Sequence, residues 1–170
     1  FANTTASNNT AVGKESLKAN TTGDSNSAFG EASLFSNTTG GNNTSIGRGS
    51  LESNTTGDNN TSVGKDALKA NTTGTQNVAI GTLAMDANTT GSFSTSVGYN
   101  SLTSNTTGRN TAFGHTALAT VTTGTQNTGI GDNTLASNTA SNNTALGYAA
   151  LNANTTGTRN TAIGANAGDA

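Results

Sequence analysis

The side chains able to act as acids, bases, nucleophiles or metal ligands are few, and their spacing assembles none of the usual constellations. There is one histidine, His115, and no cysteine, so neither a His pair nor a thiolate site can form. Nine carboxylates are scattered along the chain, and none recurs at one position in consecutive repeats, so the acidic register of calcium-binding nonapeptide coils is missing. No glycine run sits in a strand–G-x-G-x-x-G–helix unit. Seven basic residues spread over the whole length make no stripe for nucleic acid. Two features keep a functional reading open beside a plain one. Phe35, Phe93, Tyr99 and Tyr148 stand at freely varying positions, where a ring either contacts a sugar or receptor or is incidental. The Asn-Thr-Thr triplets at Asn3, Asn20, Asn37, Asn54, Asn71, Asn88, Asn105 and Asn154 have the form of glycosylation acceptors, or serve as turns. The expectation is no catalytic, cofactor-binding or metal site, and no enzyme.

Composition points the same way. Apolar residues make up 30% and charged residues 9% of the 170, with a net charge of −2. That is poor in both classes against an ordinary globular domain, and it lacks the high net charge typical of disordered chains. Asparagine, threonine and serine carry the polarity instead. Proline is absent, as suits a chain whose backbone donors are used in ladders. No apolar run approaches the roughly 20 residues needed to span a membrane as a helix.

These side chains are positioned by a repeat. A glycine preceded by a larger apolar residue (φ in the pattern below) recurs at Gly13, Gly30, Gly47, Gly64, Gly81, Gly98, Gly114, Gly131, Gly147 and Gly164. The interval is 17 residues, with two intervals of 16. A second apolar position follows four residues later, from Leu17 and Leu34 to Leu135 and Leu151, with Met85 once and a lapse at Gly168. The consensus is N-T-T-G-x-x-N-T-[AS]-φ-G-x-x-[AS]-L-x-[AS]. Fifteen of the sixteen charged residues fall at its five free positions, which are therefore expected to face water. The two short repeats each lose a residue in the turn before Phe113 and before Leu146, where strand register is spared.

Pieces of four or five residues between Gly, Asn and Asp read as short strands. Residues 1–170 are expected to form a single all-β domain, a parallel β-solenoid or β-roll of ten coils of about 17 residues. At roughly 4.8 Å per strand the rod would be about 50 Å long. Stacking creates two asparagine ladders. One runs Asn3, Asn20, Asn37, Asn54, Asn71, Asn88, Asn105, Asn138 and Asn154 and is broken by Val121. The other runs Asn9, Asn26, Asn43, Asn60, Asn77, Asn110, Asn127, Asn143 and Asn160 and is broken by Ser94. Stacked amides can bond along the rod, and asparagine tolerates the left-handed backbone of tight corners. Two interior columns are expected, Val12, Phe29, Ile46, Val63 and their successors in one, and the leucines in the other.

The phrases Asn60-Thr61-Ser62-Val63-Gly64 and Asn110-Thr111-Ala112-Phe113-Gly114 resemble the short N-S-x-A-I-G coils of trimeric autotransporter adhesin heads. Thr155 to Gly164 is similar to repeats of viral and phage tail-fibre proteins that carry a self-cleaving C-terminal chaperone. The resemblance covers the whole chain. It implies a left-handed parallel β-roll packed as trimers.

The expected function is a non-catalytic structural shaft of an extracellular fibre, filament or adhesin, on a cell or virion surface, this chain being a piece of a longer protein. Its partners would be further copies, as a homotrimer or a filament, with a glycan or host-surface receptor met at a tip outside these residues. No nucleic acid or membrane span is expected. The alternative is an ice-binding Thr-rich solenoid. Against that, the adjacent threonines of Asn-Thr-Thr point to opposite faces in a strand. If φ points inward, the residue before it points outward. That position is tiny in all ten repeats (Ala11, Ala28, Ser45, Ser62, Ala79, Ser96, Ala112, Gly129, Ala145, Ala162). Close packing against another protomer is the favoured account, and a bend into a cramped interior is the other.

Overall fold

The structure is a computed structural model that describes residues 4–169. Asn3, and the expected interruption of the repeat at Phe1 and Ala170, lie outside them. Ten three-residue strands form one parallel sheet in chain order, and no helix occurs among the described residues. They run from β1 (Thr10–Val12), β2 (Ser27–Phe29), β3 (Thr44–Ile46), β4 (Thr61–Val63) and β5 (Val78–Ile80) to β6 (Thr95–Val97), β7 (Thr111–Phe113), β8 (Thr128–Ile130), β9 (Thr144–Leu146) and β10 (Thr161–Ile163). Each pairs with the same residues one coil on, as Thr44↔Thr61, Ser45↔Ser62 and Ile46↔Val63 do. The register passes through both short coils unchanged, Val97 meeting Phe113 and Ile130 meeting Leu146. The chain is thus the expected parallel β-solenoid, with about 17 residues per coil.

Each strand is short because its ends are fixed. The preceding asparagine closes a turn, and the following glycine takes φ values of 125–140°, a region open essentially to glycine alone. A Cβ on Gly47 would also lie 2.5 Å from the carbonyl oxygen of Gly64 above it. Glycine is therefore required here twice over, by dihedral and by the close approach of neighbouring coils.

The leucine column is in the core as expected. Leu17, Leu34, Leu51, Leu68, Met85, Leu102, Leu118 and Leu135 are all buried. Their backbone is unexpected, because every one of them has φ near +50°. A left-handed leucine costs roughly 1–2 kcal/mol, while burying its side chain returns about 1.5–3 kcal/mol. Burial is what keeps a bulky residue in this conformation. At the lapse in the pattern, Gly168 takes the same left-handed turn (φ 68°), so the backbone completes the corner without the side chain.

The other column is reversed from the expectation. Val12, Phe29, Ile46, Ile80, Phe113, Ile130, Leu146 and Ile163 are exposed, the six between the two ends at 39–44%, and Val63 and Val97 are half-buried. Inside instead are Ala28, Ser45, Ser62, Ala79, Ser96, Ala112, Gly129, Ala145 and Ala162. The alternation between the two positions was right and its polarity was not. A coil of 17 residues has a narrow lumen, already filled by a leucine and two asparagines, and only a methyl or hydroxymethyl fits the remaining place. The buried serines are bonded there: Ser45 Oγ donates to the Ser50 carbonyl at 2.8 Å, and Ser50 Oγ to Ser62 Oγ at 2.7 Å. The tiny residues are thus a cramped interior, not a lateral interface, and lysine at Ser45 or Ser62 would disrupt the coil itself.

The left-handed leucines give a test. Leu51→Ala removes the buried side chain but keeps the strained dihedral, and should cost about 2–5 kcal/mol. Leu51→Gly loses as much packing yet relieves the backbone. Urea unfolding should find the glycine variant at least as stable as the alanine variant, the reverse of their usual order. A clearly weaker glycine variant would show that the conformation carries no strain.

Candidate functional site

The asparagine ladders are the most regular polar feature, and their geometry makes them structural. In the first, Asn37 Nδ2 donates to Asn20 Oδ1, Asn54 to Asn37 and Asn71 to Asn54, each at 2.8 Å. The same amides donate to a glycine carbonyl three residues on, Asn54 to Gly57 at 3.0 Å. In the second ladder the backbone N–H of Asn43 donates to Asn26 Oδ1 at 3.0 Å and Asn60 N–H to Asn43 Oδ1 at 2.9 Å. Ser94 does not wholly break it: its N–H donates to Asn77 Oδ1, and its hydroxyl accepts from Asn110 N–H at 3.2 Å. Away from the two ends these amides are buried, and all but Asn88 Oδ1 are bonded, so no ligand can reach them. Nor do the ladder asparagines themselves turn the corners in left-handed conformation, as expected of them. The positive φ values in those turns belong to their neighbours, such as Asn42, Asn59 and Gln76.

Burial also settles the acceptor triplets. Asn20, Asn37, Asn54, Asn71, Asn88 and Asn105 are enclosed within the folded rod, and only Asn154 near one end is half-buried. The buried triplets are turn chemistry. Their first threonines bond along the rod, as when Thr38 Oγ1 donates to the Thr55 carbonyl at 3.0 Å.

The titratable groups do not converge. No group of three His, Asp or Glu side chains is placed to hold a metal among the described residues. His115 lies on the surface, its Nδ1 2.9 Å from Asp132 and its ring stacked on Tyr99 at 5.7 Å. The charged residues at the free positions face water as expected, with one exception. Asp66 is 7% exposed and lies between Lys65 at 3.4 Å and Lys69 at 3.3 Å. Burial pushes its carboxyl upward, but the hydrogen bond and charge of Lys69, with those of Lys65, outweigh it and hold the pKa below the ordinary value.

Two features that the sequence reading missed are the most open to function. One is the outward face of the sheet, where a ladder of Thr44, Thr61, Thr95 and Thr111, interrupted by Val78, runs beside the exposed Ile46 and Phe113 and the half-buried Val63 and Val97. The period-2 rule already contained it, had the small residues been assigned inward. The other is the register of the first short coil. Asn105-Thr106-Thr107-Gly108 matches Asn54-Thr55-Thr56-Gly57 residue for residue, yet Asn105 Nδ2 donates to the carbonyl of Thr107, the role of Gly57 elsewhere. The missing residue is a threonine, so Gly108 stands where Asp58 does. The tightened turn draws Asn105 away from the coil below, and Asn88 Oδ1 is left buried without a partner. In the second short coil the coil below carries Val121, which has no acceptor to orphan.

Two outcomes follow. Asn54→Val should remove the bonds to Asn37 and Asn71, leave Asn37 Oδ1 unpaired, and cost about 1–3 kcal/mol; equal stability in urea would mean the ladders contribute nothing. Because the folded pKa of Asp66 is depressed, its stabilisation is present above the unfolded value of about 3.9 and is lost as pH falls through the lower folded value. Thermal unfolding below about pH 4 should therefore fall less steeply in Asp66→Asn than in the parent.

No protein-family model, no curated protein and no solved structure matches the chain.

Proposed function

We propose that the chain is a non-catalytic, self-associating structural shaft of an extracellular fibre or adhesin, on a cell or virion surface. The observation that carries this reading is the unbroken apolar stripe on the outer sheet face, one large side chain per coil for ten coils. At roughly 80 Å² of exposed area each, the stripe amounts to about 800 Å², which is what one partner contributes to a standard interface and more than the largest patch of a typical monomer. The stripe carries no charge, and its ridges recur at the strand spacing of about 4.8 Å. A second copy of the same rod repeats at that spacing, so its ridges can seat between these along the whole length. The adhesin and tail-fibre resemblance favours three copies, and a filament of single rods uses the same face.

A second reading has its own support. The outward Thr-x-φ rows, with Ser27 and Val78 in place of two of the threonines, array hydroxyls beside apolar side chains on one parallel sheet, which the adjacent Asn-Thr-Thr threonines could not supply. This is the arrangement an ice-binding solenoid would need.

One set of variants separates them. Light scattering should give the parent a mass that is a multiple of the 16.7 kDa chain. Ile46→Lys with Ile80→Lys should reduce it to one chain without loss of β circular dichroism, and Glu52→Ala should leave it unchanged. A parent of single-chain mass would overturn the shaft reading, and thermal hysteresis abolished by Thr61→Lys would then establish ice binding.

A further inference from the structure

The corner residue before each second-ladder position has a left-handed backbone, and its occupants are polar with one exception. Asn42, Asn59, Gln76, Arg109 and Gln126 hold φ between 56° and 65°, and so does Phe93 at 63°. A bulky aromatic is an outlier in that region. Phe93 is 54% exposed, so burial does not offset the strain as it does for the leucines. Backbone strain at an exposed ring, in a turn where asparagine would do, points to a role outside folding.

Phe93 also lies where the repeat is broken. The short coil above it opens a cleft of about 490 Å³, lined by Phe93, Arg109, Gln126 and the hydroxyl-bearing Thr90, Ser92 and Thr107. The Arg109 guanidinium sits 5.8 Å from the centre of the Phe93 ring. Among the described residues it has no carboxylate within ion-pair distance, as is true of Arg48 and Arg159, whereas Lys14, Lys18, Lys65 and Lys69 all have one. At the second short coil the same corner is Asn142, flanked on the adjoining coils by Gln126 and Arg159 and with no ring beside the turn deletion. The ring is therefore not a consequence of the deletion.

We propose that this cleft binds an anionic saccharide. The exposed part of the Phe93 ring takes the C–H face of a pyranose, the Arg109 fork takes its carboxylate in the bidentate geometry natural to guanidinium, and the threonine, serine and Gln126 groups meet its hydroxyls. Such a site lies on the flank of the rod, apart from any tip, and does not depend on self-association.

Titration of the purified chain with sodium glucuronate, followed by amide chemical shifts, should give saturable changes centred on residues 90–93 and 106–109. Glucose, which lacks the charge, and acetate, which lacks the ring, should each bind at least tenfold more weakly. Phe93→Asn and Arg109→Gln place at this corner residues that it already holds elsewhere, so the coil should fold. Each should weaken glucuronate at least tenfold, while Phe35→Asn leaves it unchanged. Absence of saturation, equal binding of acetate, or full affinity in Phe93→Asn would overturn the proposal. The light-scattering mass, unaltered by either cleft variant, keeps this result separate from that of the shaft reading.

Discussion

Everything in this molecule follows from one constraint, that each residue lies directly over its own counterpart one coil away. Parallel pairing with an offset of one repeat leaves roughly 4.8 Å between equivalent atoms. A side chain must then be compatible with a copy of itself at that distance. Amides satisfy the condition because they donate at one end and accept at the other, and both ladders use this. Leucine satisfies it by stacking methyls. A buried like charge would not, and Asp66 is buried only where the coil below has Gly49 and lysines stand on both sides. The low charge content reflects the same geometry.

The constraint also explains which parts of the architecture could be read from the chain. Periodicity gives coil length, strand order and register, because stacking leaves one alignment in which the asparagines and leucines coincide. The deletions before Phe113 and Leu146 were recognisable as turn events for the same reason. The direction of the strand face was not recoverable by that logic. Val12, Phe29 and Ile46 are the larger apolar residues, and in a globular protein larger apolar residues go inside. In a rod this thin the lumen is the scarce space, and Ser45 and Ser62 occupy it because nothing bigger fits. Size selected against the interior here, the opposite of the ordinary rule. The left-handed leucines were hidden for a related reason: no propensity scale assigns that backbone to leucine, and only enclosure holds it.

The candidate cleft shows the same division. The ring at Phe93 was visible in the sequence only as one of four aromatic residues at freely varying positions. Its meeting with Arg109 was not, since it depends on placing the missing residue within the threonines and not after Gly108. Sequence identity favours the alignment of Asn-Thr-Thr-Gly, while the hydrogen bond from Asn105 to Thr107 favours the other. Sixteen residues must close the path of seventeen, and the chain omits an exposed turn threonine whose counterpart Thr56 makes one backbone bond, to Thr72.

A perfectly repeating rod has no unique place on its flank, because every site recurs ten times along it. Distinct chemistry requires a defect, and defects are tolerated only where strand register survives them. The turn preceding each strand meets that condition, since its outer residues bond to the coils beside them without setting the pairing of Thr95 with Thr111 or of Thr128 with Thr144. The cost appears in the ladder as the orphaned oxygen of Asn88. Where the second deletion occurs, Val121 removes the amide that would have been orphaned, at the expense of a ladder rung. The coil below the first short coil keeps its unsatisfied Asn88, its corner carries the strained Phe93, and Arg109 of the short coil lies over that ring without a carboxylate partner. A buried polar atom without a partner and a left-handed exposed ring are both unfavourable, and neither serves the stacking. Their coincidence in one turn is the physical reason to regard that turn as selected for contact with something other than the rod.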